Sequence, residues 1–103
     1  IWVIRVGSAD AGVFGRAYQY PRDLVLIADT ALDCERNLLW VLLACKESGR
    51  QVLDAFTPEG KYAGGVMIPH RDSLYDGLCF QGDSRLVLVD CGSGDLACIR
   101  LSN

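Results

Sequence analysis

With 103 residues, half of them hydrophobic and 22% charged, the chain has material for one small globular domain with one core, which excludes a disordered tail. A net charge of −3 is a poor match to nucleic acid, which favours a basic surface. No apolar run reaches the roughly 18–20 residues a membrane span takes; the longest, Leu38 to Cys45, has strand length.

In chain order, Ile1 to Val6 reads as a strand and Gly7 to Gly12 as a turn. The opening Ile1-Trp2-Val3-Ile4 has no initiator Met, basic start or cleavage site, as expected of a stretch of a longer parent. Val13 to Ala17 reads as a second strand, ended by Pro21, which lacks a backbone donor. Leu24 to Ala28 is a strand, and Asp29 to Arg36 reads as a polar connection longer than a tight hairpin. Leu38 to Ala44 is a near-continuous apolar run holding Trp40, as expected of an inner strand covered on both faces. A helix over Asp33 to Lys46 is the competing reading, because only there do apolar residues approach a 3.6 period.

Lys46 to Arg50 forms a turn, Val52 to Phe56 a strand, and Thr57-Pro58-Glu59-Gly60 a further turn. Lys61 to Ile68 is a strand in which Gly64-Gly65 signals a bulge or a close backbone approach. Leu74 to Phe80, Leu86 to Val89 and Cys98 to Leu101 complete the strands, joined by turns at Gly82-Asp83-Ser84 and Gly92-Ser93-Gly94-Asp95.

The pattern repeats at a spacing of a little under fifty residues. Val3-Ile4-Arg5-Val6, Val52-Leu53-Asp54-Ala55 and Cys98-Ile99-Arg100-Leu101 are short apolar strands with one charge at the same place, and Tyr20-Pro21-Arg22-Asp23 recurs around Pro69. Several short strands per repeat of this length point to a radial all-β architecture. Residues 1–20 read as the end of one blade, 21–68 as one full blade and 69–103 as most of a further blade.

These residues resemble the NHL-repeat β-propellers. The order Pro69, Gly77-Leu78-Cys79-Phe80, Leu86-Val87-Leu88-Val89-Asp90 and Ile99-Arg100-Leu101 follows the family's repeat, and the preceding unit matches best from Val52 to Tyr62. That unit departs from it with Ala44 where the family's strand-ending Asp would fall, and with a first turn expanded by Ala31 to Arg36. The resemblance implies about two four-stranded blades of an open, incomplete ring. Such blades leave apolar faces and strand edges uncovered, so the chain is expected to belong to a larger ring, to self-associate, or to be marginally stable alone.

The resemblance further implies a non-enzymatic interaction module that recognises a protein partner, as in the target-recognition part of RING-type ubiquitin ligases; the chain has no RING-like zinc spacing of its own. An RNA-binding face is the alternative, and a remnant of a metal-dependent propeller lyase or hydrolase is a third. Against the last, His70 is the single histidine and builds no metal site alone. No residue is singled out as catalytic, and no cofactor is implied.

The candidate binding residues are Arg22, Lys46, Arg50, His70 and Arg71, which fall on connections at one end of the strands, with Tyr20 and Tyr75 as aromatics for stacking bases. In the family Asp90 would accept hydrogen bonds from the turn that follows it. Asp29, Asp76 and Asp83 read as turn or loop acids, and Trp2 and Trp40 as core residues between blades. Gly92-Ser93-Gly94-Asp95 precedes a strand and not a helix, so it reads as a hairpin turn and not a phosphate cradle. The cysteines, Cys34, Cys45, Cys79, Cys91 and Cys98, are odd in number and form no Cys-x-x-Cys clip. Buried free thiols in a reducing, intracellular and cytoplasmic setting are the first reading, a Cys91–Cys98 disulfide the second.

Overall fold

The computed structural model describes residues 25–45 and 49–101. They are all-β, in two antiparallel sheets with strands in sequential order. The first sheet contains β1 (Val25–Asp33), β2 (Leu38–Cys45), β3 (Gln51–Phe56) and β4 (Tyr62–Ile68); the second contains β5 (Gly77–Gln81), β6 (Arg85–Asp90) and β7 (Asp95–Arg100). The expected strands at 1–6 and 13–17 lie outside the described residues, as does Trp2.

At the first hairpin the strand reading of Leu38 to Ala44 holds over its helical competitor, and one expectation is overturned. No helix forms over 33–45, because Leu38–Cys45 pairs along both edges, with β1 and with β3. Nor is the segment after Ala28 a polar connection. The strand runs on to Asp33 across a register shift between Ile27 and Asp29, and residues 34–37 make the turn. The Asp33 carboxylate explains why polar residues suit this hairpin. It accepts the Arg36 N–H at 3.1 Å and the Trp40 indole N–H at 3.1 Å, and it pairs with the Arg36 guanidinium at 3.2 Å. Polar side chains therefore close the turn and satisfy a buried indole.

The central strand, β2, is buried from Trp40 to Cys45, so both its faces are covered, as its unbroken apolar run predicts. Trp40, Leu42, Leu53, Ala55 and Ile68 pack from the first sheet onto Tyr75, Leu78, Leu86 and Leu88 of the second part of the chain. Each fully buried leucine contributes about 1.5–3 kcal/mol of transfer free energy relative to exposure. The first strands of the two sheets, β1 and β5, run close to each other. Asp29 is no loop acid: from β1 its carboxylate accepts the Leu78 N–H at 2.7 Å and ties the two sheets together.

The two sheets correspond turn for turn. The Gly49 N–H donates to the Cys45 carbonyl at 2.9 Å, and the Gly94 N–H donates to the Asp90 carbonyl at 2.8 Å. Both glycines hold a left-handed φ, +68° and +81°, which a side chain rarely adopts. Cys45, and not Ala44, thus occupies the position of Asp90. The ladder registers then set Leu53 beside Cys98 in the comparison and Asp54 beside Ile99. The charged residues Asp54 and Arg100, aligned on sequence, stand one position apart.

Five strand starts also move, β4 to Tyr62 and β6 to Arg85 by one residue each. Leu74 to Asp76 precede β5 as a loop, β7 begins at Asp95, and β3 begins at Gln51. At Gly65 the expected close approach is real. A Cβ there would collide with the Asp54 carboxylate and would stand 2.7 Å from the Tyr62 hydroxyl. All five cysteines are free, so Cys91–Cys98 is not bridged; only Cys45 is buried, and the other four are exposed. The expectation of buried thiols fails because Cys79 and Cys98 point to the outer face of the second sheet, where nothing described covers them.

Candidate interaction site

One end of the two sheets gathers the turn at 49–50, the connection 69–76 and the turn at 91–94. Arg50 and His70 are both exposed there. The His70 ring lies over the Gly49 turn, where a Cβ on Gly49 would come within 3.3 Å of its Cε1. Arg22, Lys46 and Tyr20 lie outside the described residues.

Arg71 belongs to this end but turns inward. Its guanidinium donates to Asp90 Oδ2 at 3.0 Å, to the Ser73 carbonyl at 2.9 Å and to Asp95 Oδ2 at 2.7 Å. It also sits 4.2 Å from the centroid of the Tyr75 ring. With its side chain 23% exposed and two carboxylates on it, the charge is locally matched. Arg71 therefore works as a clasp between the connection and the β6–β7 hairpin. Tyr75 is buried and capped by that guanidinium, so it offers no free face for a base.

Asp90 is the acceptor at the centre of this clasp. Oδ1 takes the Gly92 and Ser93 N–H groups at 3.0 and 3.3 Å, while Oδ2 takes the Ser73 hydroxyl at 2.5 Å and Arg71. The Ser73 hydroxyl, and after it Ser93 and Arg71, hold the carboxyl far below the usual carboxylate range, against the opposing effect of burial. A carboxylate so fully occupied is a structural acceptor and a poor proton carrier. Next to it, Asp76 accepts the Cys91 N–H at 3.0 Å, and hydrogen bonding and charge from Asp76 push the Cys91 thiol up. Arg71 and Asp90 each stand out in the sequence; their partnership, with Asp95 and Ser73, depends on the fold of the connection.

Beside the clasp, residues of β4 and β7 line a groove of about 320 Å³. Val66 and Ile68 line it from the first sheet, and Leu88, Ala97 and Ile99 from the second, with Tyr75 at one end. The outer face of the second sheet is also uncovered by any described residue. Its rungs are Cys79–Val87–Cys98 and Gly77–Val89–Leu96, with Arg85 beside Arg100 at the end. Leu96 is 68% exposed. By the turn-for-turn correspondence, Val87 and Val89 stand where Leu42 and Ala44 stand in the first sheet, where that face is buried.

Among the described residues no group of three or more His, Cys, Asp or Glu is placed to hold a metal ion, and no helix is long and apolar enough to cross a membrane. No family model, no curated protein and no solved structure matches the chain.

Proposed function

We propose that the chain is a two-sheet segment of an NHL-type β-propeller and acts as a non-enzymatic protein-recognition module, of the kind that selects targets for larger assemblies such as ubiquitin ligases. The observation that carries this reading is the outer face of the second sheet. It repeats the face by which the first sheet packs on its neighbour, yet it presents Val87, Val89, Cys98 and a largely exposed Leu96. An apolar sheet face rimmed by Arg85 and Arg100 favours protein over solvent. The pairing of Arg71 with Asp90 and Asp95, and the burial of Tyr75, weigh against RNA.

The test is selection from a random peptide library on the immobilised full chain, with a parallel titration of a labelled single-stranded RNA from low to physiological salt. Peptide ligands are expected, with binding weakened about tenfold or more by Leu96→Lys or Val87→Lys in variants that keep the wild-type circular dichroism. Recovery of no peptide together with salt-dependent RNA binding overturns the reading in favour of a nucleic-acid face.

A further inference from the structure

Building on the protein-recognition reading, we propose that the outer edge of β7 is a strand-addition site. It takes an extended peptide that is apolar at two alternate positions and acidic opposite Arg100.

The edge is defined by the ladder. The Leu101 N–H donates to the Ser84 carbonyl at 2.7 Å, so residues 97, 99 and 101 direct their backbone groups toward β6. In an antiparallel pair these alternate with residues directed the other way. Leu96, Cys98 and Arg100 therefore present N–H and C=O groups on the far edge of β7, and among the described residues no strand pairs there. A free row of backbone donors and acceptors is a template for a further strand.

The first sheet shows what fits. Its β3, the counterpart of β7, is paired along that same edge by β4. Beside β7 no described strand takes that place, and the groove runs between β4 and the side chains of Ala97 and Ile99. Partners on one rung share a face, so a peptide antiparallel to β7 turns its side chains opposite Ala97 and Ile99 into the groove, against Val66, Ile68 and Leu88. Branched aliphatic side chains at those two positions fill it.

Charge sets the third position. Arg85 and Arg100 are register partners on the outer face, and neither forms an ion pair among the described residues. Like charges directly opposite are unfavourable, so a carboxylate across from Arg100 relieves the pair.

The probe is a labelled, end-capped seven-residue peptide with valine at the two groove positions, glutamate opposite Arg100 and threonine elsewhere. Binding to the full chain is read by fluorescence anisotropy, and its place by amide exchange in NMR. The expected result is slowed exchange at Leu96, Cys98 and Arg100. N-methylation of the peptide residue opposite Cys98, which removes one ladder donor, is expected to weaken binding about tenfold. Arg100→Glu is expected to weaken the glutamate peptide, and a lysine peptide to restore binding to that variant. Equal binding of the N-methylated peptide, protection elsewhere, or no binding of the probe overturns strand addition. If library-selected peptides still bind through Val87 and Leu96 in that case, protein recognition stands and only this site falls.

Discussion

The side-chain amide of Gln51 pairs with the backbone of Tyr75 as another strand would. Its Nε2 donates to the Tyr75 carbonyl at 2.8 Å, and its Oε1 accepts the Tyr75 N–H at 2.7 Å. Both residues are buried, so one glutamine satisfies two main-chain groups that no ladder reaches and fixes where the second sheet begins relative to the first.

Replacing Gln51 should therefore act on the junction between the sheets. Gln51→Ala strands a buried N–H and a buried carbonyl, and a loss of about 1–3 kcal/mol is expected from urea denaturation. Gln51→Glu keeps the acceptor toward the N–H but sets a carboxylate against the carbonyl, and should destabilise more at neutral pH than in mild acid. Equal stability of all three proteins would mean that water replaces the amide.

Gly65 offers a steric test. Its Cβ position is occupied by the Asp54 carboxylate and the Tyr62 hydroxyl, and the Leu53 carbonyl lies 3.0 Å away. Gly65→Ala should cost about 1–3 kcal/mol through forced displacement of these groups. The fluorescence of Tyr62, whose ring meets Phe56 edge-on at a centroid distance of 6.0 Å, should change with it. An unchanged midpoint and unchanged fluorescence would show that the side chains have room to withdraw.

Asp90 predicts a pH dependence with a definite sign. Its carboxyl is held below its ordinary value of 3.8, first by the Ser73 hydroxyl. The unfolded chain then binds this proton before the folded one does. The stabilisation is fully present above the ordinary value and drains away as the pH falls below it toward the lowered folded value. Denaturation curves from about pH 5 to about pH 2 should show wild type losing stability more steeply than Asp90→Asn. Parallel losses in the two proteins would remove Asp90 as the source. At neutral pH Asp90→Asn should be the less stable protein, because Arg71 loses one of its two carboxylates.

Cys91 carries a prediction about reactivity. Asp76 raises its thiol pKa by hydrogen bonding and charge, so little of it is thiolate at neutral pH. Asp76→Asn should speed alkylation of Cys91 by iodoacetamide at about pH 7.5, read by mass spectrometry of the Cys91 peptide. The rate at Cys34, on the opposite turn, serves as the internal reference. An unchanged ratio of the two rates would show that Asp76 does not govern the thiol.

The strands were legible where local rules suffice. The unbroken apolar run at Leu38 to Cys45 reports burial on both faces, and the glycine-rich stretch at 92–94 reports a hairpin. Legibility failed where a polar side chain serves a distant group. Asp29 and Asp33 look like loop residues because their partners, Leu78 on another sheet and Trp40 across a turn, are not neighbours in the pattern. Arg71 looks like a free surface cation for the same reason, since its carboxylates, at the end of β6 and the start of β7, lie 19 and 24 residues further along the chain.

Side-chain alternation and turn chemistry act over a few residues, so local pattern is enough to specify an all-β chain of short antiparallel strands with a recurring unit. Which charges are paired, and which strand edges lack a partner among the described residues, follows from long-range packing. Pairing between segments far apart in sequence closed the Arg71–Asp90 clasp, buried Tyr75 and left the edge of β7 beside an apolar groove. Those outcomes depend on how two sheets meet in space, which no local pattern of residues encodes.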